Sequence, residues 1–294
     1  MSQTTVVVVG ASGGVGGSTL ASAVAMRGHQ AGLRVAAVDL QPYGGGLDVV
    51  VGAEQEPGLR WDGLVSLAGR ADGAAIAERL PHCDGVAVLS FGREDPVLPD
   101  GGVVAGVLIG LQASEELVVI DTGAGSRYAD LALDAARLTV LVGGTGLTQL
   151  AALCAVSGWA QALCDEVVVS LRGDRRVADL VRLVESVTGL DVVALLPDDR
   201  GARADLVHGV APGARGRGPL VDGADACLAL AVQRSRERRG GRELRDGREL
   251  PGGREVPGGR EVPGGREVPG TTELWGGREL RGGRVLPSGR SGGA

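Results

Sequence analysis

The chain has 294 residues, 44% of them hydrophobic but only 2% aromatic, so a sizeable core is available and must be built from Val, Leu and Ala. All 30 basic residues are Arg, and the absence of Lys excludes every reaction that needs a lysine amine in this chain. The net charge of −6 is unevenly spread: residues 1–233 carry 16 Arg against 27 acids, residues 234–294 carry 14 against 9, and an acidic body argues against a large non-specific nucleic-acid surface.

The opening residues 1–5 offer no positive n-region, and the apolar run at 6–9 is too short for an h-region, so no signal peptide is expected. Short β-branched runs then alternate with Ala/Leu-rich segments. Strands are predicted at 4–10, 34–40, 86–91, 117–121, 138–142, 166–171 and 191–196. Helices are predicted at 18–31, 102–113, 128–136, 148–163, 177–188 and 201–210, with a last one at about 220–238. Strands that are continuous Val/Ile/Leu runs are buried on both faces, as in parallel sheets covered by helices. The fold class is therefore α/β, a doubly wound and mostly parallel sheet. The uncharged stretch 138–164 is broken by Gly143, Gly144 and Gly146, which fits a buried strand, a turn and a helix rather than a membrane span. Four cysteines form no CxxC and read as reduced, buried thiols. The expected location is the cytoplasm.

A composition break divides the chain into a folded domain at 1–238 and a tail at 239–294. From Gly240 the tail falls into nine hexads, three of them perfect copies of Gly-Gly-Arg-Glu-Val-Pro starting at Gly252, Gly258 and Gly264. Each hexad offers about one Val or Leu, too little apolar surface to offset the chain entropy of ordering it. A disordered spacer is the expectation.

The first strand runs straight into Gly10-Ala11-Ser12-Gly13-Gly14-Val15-Gly16-Gly17-Ser18-Thr19 ahead of the first helix. Glycines let successive N–H groups turn inward, and the helix N-terminus adds positive potential, so this is an anion cradle. Two ligand classes use such a loop. Gly10, Gly13 and Gly16 satisfy GxxGxxG, with Asp39 where a dinucleotide's ribose acid belongs, so an NAD(P)-sensing module is one alternative. Short-chain reductase chemistry is excluded for want of a Lys.

The second class is a nucleoside triphosphate. Ser12 to Thr19 resembles the deviant Walker A loop of the ParA/MinD ATPases, a P-loop NTPase fold. Val38-Asp39-Leu40-Gln41-Pro42 resembles that family's DxDP stretch, and Val118-Val119-Ile120-Asp121-Thr122-Gly123-Ala124-Gly125 resembles its Walker B strand and switch II. Leu196-Pro197 falls where the family places a proline beside the adenine. Within the family the chain is most similar to the CpaE-like, septum site-determining branch of actinobacteria. Three stretches carry that likeness: 39–52 with Gly44-Gly45-Gly46-Leu47-Asp48, then Gly58-Leu59-Arg60-Trp61, then Val88-Leu89-Ser90-Phe91-Gly92-Arg93. Members of that branch have an extra domain before the P-loop strand, which here begins at residue 4.

The resemblance implies ATP or ADP with Mg²⁺ as the cofactor. It assigns Ser12, Gly13, Gly14, Val15, Gly16, Gly17, Ser18, Thr19, Gly125 and Pro197 to nucleotide binding, Ser18 and Asp121 to Mg²⁺, and Asp39 and Asp121 to catalysis. It also implies protein partners in division or pilus and secretion assembly, and a homodimer. The departures fall at its charges: the family's cross-dimer Lys is Ser12, its P-loop Lys is Gly17, and the second acid of DxDP is Gln41. Each lost stabiliser costs roughly 10²–10³ in rate, so ATP hydrolysis is expected to be weak or lost. The enzymatic alternative is an active ATPase that recruits an Arg, with Arg34 and Arg127 as candidates. Direct membrane binding is not expected, because the last helix ends in Arg234, Arg236, Arg238 and Arg239. No specific nucleic-acid partner is expected either.

Overall fold

Valine-rich runs without polar alternation need cover on both faces, and here they become the inner strands of one sheet. The computed structural model describes residues 3–67, 71–93, 97–173 and 178–246. In chain order the elements are β1 (Thr4–Gly10), α1 (Gly17–Gln30), β2 (Val35–Asp39), α2 (Leu47–Val51), a 3₁₀ turn (Trp61–Leu64), α3 (Gly73–Arg79), β3 (His82–Cys83), β4 (Val86–Leu89) and α4 (Gly101–Ser114). They continue as β5 (Leu117–Gly123), α5 (Ala129–Asp134), β6 (Leu138–Gly144), α6 (Leu147–Leu163), β7 (Val167–Arg172), α7 (Ala178–Thr188), β8 (Val192–Leu196), α8 (Arg200–Val207) and α9 (Pro219–Asp246). All seven expected strands and all seven expected helices are present. Of the expected disordered tail, residues 239–246 belong instead to α9, and the rest lies outside the described residues.

The sheet has eight strands in the order β3-β4-β2-β5-β1-β6-β7-β8, parallel except for the β3–β4 hairpin. Successive residues point to opposite faces. Val6 and Val8 meet α1 and α9 through Leu20, Val24, Cys227 and Ala231, while Val7 and Val9 join the core beneath α3 to α7, with Ile76, Leu111, Leu133 and Leu153. On that second face α3 and α4 cross with their backbones in contact. A Cβ on Gly73 would lie 1.9 Å from the Gly110 carbonyl oxygen, so only glycine fits the crossing.

On the first face α9 is fastened to the start of the sheet. Arg27 of α1 makes a two-pronged ion pair with Asp225, at 2.7 and 3.1 Å, and Thr4 shares a buried 2.6 Å hydrogen bond with Ser235. The helix runs eight residues past the expected end at 238. Its extension contains Arg-Glu-Leu-Arg, good helix formers that carry the backbone past the glycine pair 240–241. Among the described residues, no helix is long and apolar enough to cross a membrane. All four cysteines are unpaired; Cys164 and Cys227 are buried as expected, Cys83 is half-buried, and Cys154 is exposed.

The strand order distinguishes the sheets that carry the two ligand classes. In the dinucleotide-binding fold the second strand lies beside the first. Here β5 is inserted between β1 and β2, with Asp39 directly across from Asp121 in register. The sheet is not that of the dinucleotide-binding fold, and β5 delivers Asp121 to the side of the first loop.

Candidate nucleotide site

The loop joining β1 to α1 keeps its backbone donors open. Gly14 (φ 74°) and Gly16 (φ 92°) adopt the left-handed conformation that only glycine takes at little cost. Gly16 precedes α1 without any side-chain cap, so the first N–H groups of the helix face the loop's concave side. Val15 is buried beneath the loop and pins it to the α1 face of the core, and the Ala11 N–H donates to the Val142 carbonyl. The Ser12 hydroxyl is buried and has no hydrogen-bond partner. An orphaned polar atom in a cradle of N–H donors fits an absent anion.

The loop opens into a cavity of about 560 Å³, a volume in the range of small-molecule sites. Residues 10–19 and 121–125 line it, together with Gln41, Tyr43, Gly44 and Arg172. Ser12, Gly13, Gly14, Val15, Gly16, Gly17, Ser18, Thr19, Asp121 and Gly125 are thus brought together. Asp39 and Pro197 are not among the lining residues.

Asp121 is 4% exposed at the carboxyl end of β5. Burial, and next the nearby charge of Asp39, push its carboxyl up to about 7, while a hydrogen bond with Ser18 works in the opposite direction. A hydroxyl and a carboxylate held against each other are hard oxygen donors of the kind Mg²⁺ takes alongside phosphate oxygens and water. This donor set fits the metal.

Asp39 has a different environment. One carboxylate oxygen accepts from the Gln41 N–H at 2.8 Å, the other from the Leu47 N–H at 2.9 Å and the Ser90 hydroxyl at 2.9 Å. Burial raises its pKa, and these three hydrogen bonds oppose the rise. The carboxylate ties the ends of the 41–47 loop to each other and to β4.

No family model matches the chain. Among curated proteins it is 32% identical over 204 residues to the uncharacterized protein Rv3660c of Mycobacterium tuberculosis and to MT3760 of a second strain. The match takes in 69% of this chain and 57% of each relative, so the chain spans little more than half the length of the relatives it matches. Among solved structures it superposes on a ParA family ATPase of Chlorobium tepidum (TM-score 0.62, 17% identity, 78% of this chain and 99% of that one). The MinC:MinD cell division complex of Aquifex aeolicus gives 0.61 at 14% identity, over 85% and 98% of the two chains. The septum site-determining protein MinD of Pyrococcus horikoshii, complexed with Mg-ADP, gives 0.58 at 18%, over 80% and 99%. The fold is that of the MinD and ParA ATPases.

Within this MinD/ParA-like fold, the three stretches that carried the branch resemblance meet behind the 41–47 loop. Asp48 is wholly buried and receives Arg60 at 3.4 Å and Arg93 at 2.8 Å. Trp61, also wholly buried, donates its indole N–H to the Asp39 carbonyl at 2.8 Å, and its ring sits 5.9 Å from that of Phe91. Gln41, where the family has its second acid, accepts from the Gly123 N–H at 3.1 Å, and the Ser126 hydroxyl donates to the Leu40 carbonyl. The loops after β2 and β5 are therefore linked to each other by neutral hydrogen bonds.

The two arginines singled out in the sequence lie elsewhere. Arg34 precedes β2 at the sheet's opposite end, paired with Glu116 at 3.4 Å, and Arg127 lies over the Tyr128 ring at 5.4 Å. Among the described residues, the cation that does line the cavity is Arg172, the last residue of β7. The predicted strand stopped one residue short of it. The usable signal was its position: ligands in open α/β sheets bind at the carboxyl ends of the strands.

Proposed function

We propose that the chain is a nucleotide-binding regulatory protein of the MinD/ParA kind, in the CpaE-like branch, acting in septum-site determination or in pilus and secretion assembly. The observation that carries the reading is the open nest of 13–17, with its orphaned Ser12 hydroxyl, set beside the Ser18–Asp121 pair. The nest's N–H groups and Ser12 would hold the phosphate chain of ATP or ADP, Thr19 the α-phosphate, and Ser18 and Asp121 the Mg²⁺. Bound Mg²⁺ would supply positive charge that offsets the phosphates. Asp39, consumed by three hydrogen bonds, is assigned to fixing the 41–47 loop rather than to aligning a water.

Turnover is expected to be slow. Phosphoryl transfer depends on preorganised positive charge, and neither lysine of the family's loop is present. The output of such a site is a nucleotide-dependent conformation of residues 41–47 and 121–126, read by protein partners of the division or secretion machinery. Calorimetric titration of the purified chain with Mg-ATP tests this. Saturable binding without continuing heat, lost in Asp121→Ala, is the expected result. No binding at millimolar Mg-ATP would overturn it.

A further inference from the structure

Arg172 ends β7 at the carboxyl edge of the sheet, and its side chain lies over the first loop. A Cβ built on Gly16 would stand 3.0 Å from its Nη1 and 3.8 Å from its Cδ. The guanidinium therefore occupies the space that glycine leaves open beside the nest. Among the described residues it is the one cation that lines the cavity. Its Nη2 donates to Asp198 at 2.7 Å, and Arg203 approaches the same carboxylate oxygen at 3.8 Å. The hydrogen bond from Arg172, and then its charge, hold the Asp198 carboxyl below the usual range.

We propose that Arg172 is the phosphate-binding cation of this site, standing in for the lysines the loop lacks, and that Asp198 holds it at the cavity edge until a polyphosphate competes for it. The inference rests on the nucleotide reading above and adds the ligand's required chemistry: a chain of two or three phosphates. An exposed carboxylate is a weak anchor for a guanidinium, because water and salt screen the pair. A polyphosphate seated in the nest offers several anionic oxygens in the fork geometry that arginine prefers. A lysine reaches phosphate from within the loop, whereas Arg172 reaches it from a strand two places away in the sheet. The charge would then engage only when the cavity is filled from the loop to the β7 edge.

The test titrates the full chain, and its Arg172→Gln and Asp198→Asn variants, with Mg-ATP, Mg-ADP and AMP. Both side chains sit at the surface, 34% and 73% exposed, so neither substitution disturbs the core. Arg172→Gln should weaken Mg-ATP roughly 10- to 100-fold, the worth of one charge-assisted hydrogen bond, with a progressively smaller effect on ADP and AMP. Asp198→Asn should tighten Mg-ATP roughly two- to fivefold by releasing the guanidinium. Equal losses for ATP and AMP would show a merely structural role and overturn the proposal. So would wild-type affinity in Arg172→Gln, a result that leaves the nucleotide reading standing. A wild-type chain that binds none of the three at millimolar concentration would overturn that reading and this inference together.

Discussion

Replacing Asp121 by Asn should make the empty protein more stable at pH 8 and, on the proposed function, should weaken Mg-nucleotide binding. Asp121 is nearly inaccessible, and burial followed by the charge of Asp39 pushes its carboxyl from 3.8 up to about 7. Below about pH 4 the group is protonated in both folded and unfolded chains and contributes nothing to the balance. Between about 4 and 7 the unfolded chain gives up its proton while the folded one keeps it, so stability falls as the pH rises. Above 7 the loss is complete. A shift of about three units corresponds to about 4 kcal/mol. Asn avoids that penalty but is a poorer partner for the Ser18 hydroxyl, which takes back about 1 kcal/mol. The net gain at pH 8 is about 3 kcal/mol, or roughly 6–12 °C in Tm for a domain of this size. Urea and thermal denaturation of both proteins at pH 4.5 and 8, without nucleotide, measure it. Equal destabilisation of the Asn variant at both pH values would refute the argument, because the buried charge would then carry no cost.

Restoring the loop lysine is a gain-of-function test. A Cβ at position 17 would meet the Gly10 N at 3.3 Å and Cα at 3.4 Å, a fit that a slight shift of the loop accommodates. Gly17→Lys should tighten Mg-ATP about tenfold and raise turnover roughly 10²–10³-fold, read by phosphate release; an unchanged rate would mean that the nest does not cradle the phosphates. Trp61→Phe keeps the ring but strands the buried Asp39 carbonyl, and should cost about 1–3 kcal/mol by urea denaturation; no loss would show that the indole hydrogen bond is replaceable. Asp48→Ala leaves Arg60, 14% exposed, without its buried acid and should cost about 3–5 kcal/mol, whereas a change under 1 kcal/mol would mean that water already serves both arginines.

The strands were legible because burial on both faces leaves little polar alternation to blur them: Val6 to Val9 are all fully buried, and β1 takes in the whole run, from Thr4 to Gly10. Residues 41–85 were harder. The elements α2, α3 and β3 are two to seven residues long, too short for a helical or alternating period to register. A cap signal was nevertheless present for α3, since Asp72 accepts from the Ala74 and Ala75 N–H groups. The anion cradle could be read from its glycines because backbone conformation is local. Arg172 could be read only as a residue at a strand's carboxyl end; its contact with Gly16 could not, because that depends on β7 lying two strands from β1 and on the reach of a long side chain across that gap. The Asp48–Arg60–Arg93 cluster was hidden for a similar reason: its members lie 12 and 33 residues apart along the chain and meet only once β4 packs beside β2.

The two buried acids bear on whether the site is vestigial. Asp39 has a structural role in this fold, since three hydrogen bonds converge on its carboxylate and an amide would present its N–H groups to at least one donor. Asp121 has no comparable set of partners. Among the described residues its side chain hydrogen-bonds with Ser18, the charge that acts on it is the like-signed Asp39, and its backbone carbonyl serves the Leu40 N–H whatever the side chain. A position of that kind would be served better by Asn if the loop were only a scaffold, by the margin worked out above. A cation changes the balance, because Mg²⁺ beside Ser18 would favour the ionised Asp121 that the empty site disfavours. The lost lysines therefore do not argue that ligand binding was lost with them. On the proposed function they remove positive charge fixed in the loop, and leave Asp121 to a metal that arrives with the ligand and the phosphates to Arg172. Such a site is more stable when filled, and its two linked loops have reason to differ between the filled and empty states.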